Sequence, residues 1–189
     1  MILTKNQGLS YDFILGHLPP AKNEWFIDAS TNYGCGGIAG TRYFMLKNAN
    51  IRNGKFFGHE IRFDDVKIAY RELLSAVVAL RYFAPHYPSS WIRVNTDNQN
   101  VVSWLNRGRC SKSLGYRLLA VIELIKFKYN LKISVHFIES SKNTSADRLS
   151  RGAIPEWLKR RGVRCKVSMT NIEKILSNPI MFWKNALSL

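Results

Sequence analysis

An α/β fold is predicted: a mixed sheet, part antiparallel meander and part parallel, with helices on its faces and a basic C-terminal extension that holds a helix. Three observations predict it. Short runs of strand-forming residues separated by turn residues fill positions 24 to 63. From 64 to 152 helical and strand patterns alternate, and strands joined through helices run parallel. The 189 residues, 46% of them hydrophobic, suffice for one globular domain with a full core and an appendage.

Residues 1–23 form a loose lead-in ending at Pro19-Pro20, and the domain proper is expected over 24–152. EWFIDAS reads as the first strand, TNYGCGG as a glycine-rich turn, IAGTRYFML as the second strand, and KFFGHEIRF, after a turn at Asn48 to Gly54, as the third. DDVKIAYRELLSAVVALRYFAP carries Ala69, Leu73, Ala76, Val77 and Leu80 at helical spacing, with Asp64 and Asp65 at its start and Pro85 closing it. WIRVNTD is a strand, NQNVVSWLNRG a short helix ended by Gly108, SLGYRLLAVIELIKFKYN a longer helix and LKISVHFIE a strand. KNTSADRLSRG makes a last short helix capped by Asn143 or Thr144. Residues 153–189 are basic and contain Trp157 and Trp183; TNIEKILS has Thr170 and Glu173 at capping-box spacing and is stopped by Pro179.

Lys and Arg number 28 against 13 acids, a net charge of +15, which points to a polyanionic partner: nucleic acid first, an anionic membrane surface second. Cys35, Cys110 and Cys165 lie far apart, without the spacing of a zinc site or a disulfide framework. No run of 18 apolar residues and no signal-peptide pattern occurs, so a soluble, intracellular protein without membrane association is expected, cytoplasmic or nuclear. KRRGVRCK (159–166) reads as a solvated or phosphate-binding face, with a nuclear signal as the alternative.

Asp28 interrupts an otherwise strand-like run, and a buried carboxylate costs several kcal/mol unless something compensates it. A salt bridge is one answer; a shared metal ion is another. Glu72 falls roughly 60° from the buried stripe of its helix, while Arg71 points nearly opposite to that stripe. Asp97 ends a strand, where open sheets build sites at their carboxyl ends. Asp147 lies in the first turns of a helix whose amino end tolerates negative charge. Each alone has a structural explanation, as a cap, a surface pair or a dipole partner. Together, four carboxylates at strand centre, helix edge, strand end and helix start form the hard ligand set that two divalent cations require.

FIDASTNYGCGG, YRELLSAVVAL, NTDNQNVVSWL and NTSADRLSRG, in the order Asp, Glu, Asp, Asp, resemble the four signature blocks of the ribonuclease H family. The similarity spans about residues 24–152 and is closest to the domains of reverse-transcribing elements, gypsy-like and tyrosine-recombinase retrotransposons; EWL at 156–158 is similar to a segment that often comes after the last block in those elements. Integrases and transposases share the fold but typically end on a glutamate and lack the helix-borne acid. The resemblance implies five strands in the order 3-2-1-4-5 with helices on both faces. It implies that Asp28, Glu72, Asp97 and Asp147 are catalytic and bind two Mg²⁺ or Mn²⁺ ions, which activate a water and stabilise the leaving 3′ oxygen. The implied reaction is cleavage of the RNA strand of an RNA/DNA hybrid, leaving 5′ phosphates. The implied partners are that hybrid and the polymerase domain of a reverse transcriptase. Gln99 matches a position that contacts the hybrid's minor groove in retroviral relatives, an exposed helix residue being the alternative reading.

The match departs from the family at two places. Many members carry a histidine in the loop before the last aspartate; here it reads IESSKNTSAD, and His136 falls within the preceding strand, outside the catalytic set, with Glu139 a partial substitute. The basic helical protrusion of cellular relatives is reduced to RGRCSKS, so hybrid binding falls to Arg107, Arg109 and Lys112 and to Lys159, Arg160, Arg161, Arg164 and Lys166 in the tail, or to a partner. These departures favour an alternative, a catalytically weak or inactive nucleic-acid-binding scaffold; a DNA-directed nuclease of the same superfamily is the third reading. GCGGIAG is followed by strand and lacks Lys-Ser/Thr, which argues against a P-loop; its glycines are expected to permit a tight turn and close backbone approach beside the acids.

Overall fold

The computed structural model describes residues 23–47, 55–56, 59–60, 67–110 and 112–168. The lead-in up to residue 22, the helix-opening Asp64 and Asp65, the tail helix expected at 170–177 and Trp183 lie outside the described residues.

The centre of the molecule is strand β1 (Asn23–Ala29), which pairs antiparallel with β2 (Gly34–Ala39); β2 in turn pairs antiparallel with β3 (Arg42–Lys47). On the other side of β1 lie β6 (Trp91–Thr96) and then β7 (Lys132–Phe137), both parallel. Between β3 and β6 come a two-stranded hairpin, β4 (Lys55–Phe56) with β5 (His59–Glu60), and helix α1 (Ile68–Phe83). Helices α2 (Gln99–Arg107) and α3 (Ser113–Tyr129) connect β6 to β7, and α4 (Thr144–Ser150) and α5 (Glu156–Arg161) follow. The chain then adds β8 (Val163–Arg164), parallel to β3, so the sheet reads β7-β6-β1-β2-β3-β8. Its five long strands, in chain order, stand as 5-4-1-2-3, the predicted arrangement, with one short strand added.

The meander is built from different segments than the pattern predicts. GCGG, expected as a turn, is the first part of β2, and the expected second strand is split by the true turn at Gly40-Thr41, where Gly40 has φ +58°. Of KFFGHEIRF the described residues are those of β4 and β5, which pair with each other in a separate two-stranded sheet. Glycine is uncommon inside strands because it offers no side chain to pack, and it is used where another backbone comes close. Gly36 is such a position: a Cβ there would lie 2.5 Å from the Ser150 amide nitrogen and 2.6 Å from the Leu149 Cβ. Its absence lets α4 rest on the sheet. Gly36→Ala is therefore expected to cost about 1–3 kcal/mol of stability as overpacking, read from the midpoint of urea unfolding.

Alternation along β1 sends Trp25, Ile27 and Ala29 into the main core, which α1 and α3 complete from one side. Phe26 packs on the opposite face with a second cluster, Ile38, Tyr43, Met45, Leu149 and Leu158, which seats α4 and α5. Asp28 shares the Phe26 face by the same period. Twelve of the 16 residues of α1 are buried, more than one apolar stripe accounts for, and this corrects the expected orientation of Arg71. Arg71 is only 5% exposed, and its guanidinium donates to the Thr31 carbonyl at 3.0 Å. At the β7 edge the Asn106 side chain donates to the Val135 carbonyl (2.8 Å) and accepts from its amide (3.1 Å), satisfying backbone groups that a free edge leaves open. Among the described residues no helix is long and apolar enough to cross a membrane.

Candidate metal centre

Three of the predicted acids converge. Asp28 is the penultimate residue of β1 rather than its centre, Glu72 faces it from the first half of α1, and Asp97 follows immediately after β6. One carboxylate oxygen from each lies within 4.8 Å of the others. Parallel pairing of β1 with β6 brings Asp28 and Asp97 to the same end of neighbouring strands. The Ser75 hydroxyl, within hydrogen-bond reach of the Asp28 (3.1 Å) and Gly36 (3.0 Å) carbonyls, ties α1 to the sheet one turn beyond Glu72.

Asp147, in the first turn of α4, stands outside this trio, and its Oδ1 accepts from Arg151 Nε at 2.7 Å. Its charge still acts on Asp28.

The hydrogen bonds described for Asp28 and Glu72 come from neutral donors. The Ser150 hydroxyl donates to Asp28 Oδ2; the Thr96 hydroxyl (3.0 Å) and the Asn98 amide (3.2 Å) donate to the two oxygens of Glu72. Burial pushes the Asp28 carboxyl from 3.8 to about 6, the Ser150 bond opposes this, and the charges of Asp97 and Asp147 add to it. Burial likewise raises Glu72 from 4.5 to about 7, against the Asn98 and Thr96 bonds and with help from Asp28 and Asp97. Buried acids that repel one another and are held by uncharged donors keep their negative charge for a third party. Carboxylate oxygens are the ligands that Mg²⁺ and Mn²⁺ select, so this donor set fits a hard divalent cation.

Asn98 is not among the residues singled out from sequence, and the structure makes it both the cap of α2 and a partner of Glu72. Its side chain accepts from the amides of Asn100 (3.0 Å) and Val101 (3.4 Å) while its amide group holds Glu72. Asn98→Ala is expected to cost about 1 kcal/mol as a lost cap and to raise the Glu72 carboxyl further, because a bond favouring the ionised form is gone. NMR titration of Glu72 beside a denaturation curve reads both effects.

Asn143, a candidate cap of α4 by sequence, makes no capping bond through its side chain. It is buried and donates to the Ile27 carbonyl at 3.0 Å, anchoring the loop before α4 to β1. That loop places the Ser140 hydroxyl 2.5 Å from Asp97 Oδ2. No local signal marks Ser140, Ser150 or Thr96, since each bond joins residues distant in sequence. His136 lies on β7 beside Arg93, 3.4 Å from its guanidinium, and burial followed by that charge lowers its pKa. Glu139 pairs with Lys142 at 3.6 Å on the surface.

Gln99 opens α2 two residues after Asp97 and is exposed. Arg107, at the far end of α2, lies about 12 Å from it along the helix; it is exposed, as are Arg109 and Lys112 in the connection that follows, whose described residues form no helix. Lys159, Arg160 and Arg161 are exposed on α5, where Lys159 pairs with Glu156 at 2.9 Å. Trp157 is exposed beside them, while Leu158 fills the core beneath. Cys35, near the acids, is a buried free thiol held far from ionisation by burial.

No protein-family model matches the sequence, and no curated protein is significantly similar to it. Solved structures match in shape. RNase H1 from the halophilic archaeon Halobacterium salinarum NRC-1 superposes with a TM-score of 0.50 at 15% identity, covering 69% of this chain and 96% of that one. LC11-RNase H1, isolated from compost by a metagenomic approach, gives 0.47 at 18% identity over 72% and 98%. The N-terminal RNase H domain of a Mycobacterium tuberculosis protein gives 0.45 at 15% over 70% and 99%. The chain has an RNase H-like fold.

Proposed function

We propose that this protein is a metal-dependent endoribonuclease that cuts the RNA strand of RNA/DNA hybrids. The observation that supports it most is the meeting of Asp28, Glu72 and Asp97 within 4.8 Å, from a strand, a helix and a strand end, on an RNase H-like sheet. In this reading Asp28, Glu72, Asp97 and Asp147 hold two Mg²⁺ or Mn²⁺ ions, which when bound supply Lewis-acid activation of water and charge stabilisation at the leaving oxygen. The chain's own task is to present those carboxylates ionised and aimed. Thr96, Asn98, Ser140 and Ser150 do so by donating hydrogen bonds without cancelling charge. Gln99, two residues after Asp97, is assigned to the minor groove, and Arg107, Arg109, Lys112, Lys159, Arg160 and Arg161 are the phosphate contacts, drawing on a net charge of +15. Residues 24–152 are the catalytic unit and 153–189 a basic extension of it. The four sequence blocks support an origin in a retroelement polyprotein, with a reverse transcriptase polymerase domain as the partner.

A second reading has its own observation. The segment from Ile138 to Asn143 presents Glu139, Ser140, Ser141 and Lys142 but no histidine, and the described residues of the α2–α3 connection form no basic helix. Both weaken turnover and leave a nucleic-acid-binding scaffold. One assay separates them: labelled RNA/DNA hybrid, double-stranded RNA and double-stranded DNA are each incubated with the protein in Mg²⁺ and in Mn²⁺. Selective cutting of the hybrid's RNA strand is expected. Binding without cutting in either metal establishes the scaffold, and equal cutting of duplex DNA removes the ribonuclease assignment.

A further inference from the structure

We propose that Ser150 is a positioning residue: its hydroxyl fixes the Asp28 carboxylate in the orientation that ligates metal and locks it to the helix that carries Asp147. The proposal deepens the metal-dependent reading above and rests on it. Ser150 is the last residue of α4 and is fully buried, and its Oγ donates to Asp28 Oδ2 across 122 residues of sequence. The same Oγ lies 2.9 Å from the Asp147 carbonyl. A hydroxyl has one proton, and an ionised carboxylate is the stronger acceptor. The Asp147 carbonyl loses nothing by this, because it accepts the Arg151 amide at 3.1 Å.

Ser150 is held at its other end too. Its carbonyl accepts from the Ser30 hydroxyl at 2.7 Å, and Ser30 Oγ accepts from the amides of Tyr33 (3.1 Å) and Gly34 (3.2 Å). Ser30 comes two residues after Asp28, so the end of β1 and the end of α4 are joined twice, once through a backbone carbonyl and once through a metal-ligand candidate. Gly36 makes the approach possible.

Thr96 on Glu72 is likewise a buried hydroxyl, but the partners of the other two acids differ in kind. Ser140 on Asp97 and Arg151 on Asp147 are exposed contacts that water can replace. Nothing replaces a buried hydroxyl. Without it Asp28 Oδ2 has no described donor and the carboxylate gains a free rotation, whereas with it one oxygen is pinned and the remaining lone pairs stay available. Partners of this kind typically contribute about 10–100-fold in metal affinity.

The test is titration calorimetry of the full chain with Mn²⁺ alone, on the parent, Asp28→Asn, Ser150→Ala, Ser150→Thr and Ser30→Ala, each checked by circular dichroism. Ser150→Ala is expected to bind Mn²⁺ about 10–100-fold more weakly, with Ser150→Thr, which keeps the hydroxyl, returning toward the parent. If the threonine methyl prevents folding, Ser30→Ala takes its place: it releases the Ser150 carbonyl but keeps the hydroxyl, and is expected to bind Mn²⁺ close to the parent. Equal losses in Ser150→Ala and Ser30→Ala mean general loosening and overturn the proposal. So does parent-like affinity in Ser150→Ala when Asp28→Asn has lost binding. A parent that binds no Mn²⁺, or binds it no better than Asp28→Asn, instead removes the metal reading itself.

Discussion

Asp28→Asn is expected to abolish nearly all of the proposed hybrid cleavage and at the same time to make the metal-free protein more stable at pH 8. The two effects have one cause. Asp28 is 6% exposed, and burial together with the charges of Asp97 and Asp147 raises its carboxyl from 3.8 to about 6. Keeping it ionised in the folded state at pH 8 costs up to about 3 kcal/mol relative to the unfolded chain. Asparagine has the same shape, carries no charge, and its amide oxygen still accepts from Ser150. The cost disappears and the melting temperature rises. The same exchange removes a central anionic ligand, and several kcal/mol of transition-state stabilisation correspond to about a thousandfold in rate. A gel-based cleavage assay and a thermal melt on one preparation check both. A variant that cuts like the parent sinks the assignment of Asp28, and one that melts lower shows that the carboxylate was a structural partner rather than a site kept under strain.

The second large effect is a reversal of pH dependence by divalent metal. Asp28 and Glu72 both bind protons more tightly folded than unfolded, at about 6 against 3.8 and about 7 against 4.5. Between these limits the folded state holds the extra protons, so stability falls as pH rises from about 4 and the loss is complete above about 7. In EDTA the melting temperature of the parent should therefore decline from pH 5 to pH 8 relative to an Asp28→Asn/Glu72→Gln variant. Mn²⁺ binds the ionised, folded form, and at a hundred times its dissociation constant adds about 2.7 kcal/mol. It should recover the parent at pH 8 and leave the double variant unchanged. Parallel pH profiles of parent and variant, with and without Mn²⁺, would show that these carboxyls titrate as ordinary surface acids.

Much of the scaffold is legible in the sequence because it depends on short-range pattern. The 3.6-residue period of α1, the stop of α2 at Gly108 and the strand that leads up to Asp97 all follow from neighbours a few positions apart. The strand order comes through the four-block resemblance. The meander is misread because glycine ordinarily signals a turn, whereas at Gly36 it makes room for a helix that arrives more than a hundred residues later. Arg71 reads as outward-facing if α1 buries a single stripe, but sheet and α3 both pack on that helix.

The order of residues along the chain already supplies the chemistry, four acids in ordered blocks and a charge of +15, and the local elements that carry those acids. The meeting of Asp28, Glu72 and Asp97 without Asp147, and the neutral donors Thr96, Asn98, Ser140 and Ser150 that hold the acids, come from the packed fold. The reason is range: backbone preference and periodicity act over a few residues, but a hydrogen bond between positions 28 and 150 exists only once strand and helix have docked.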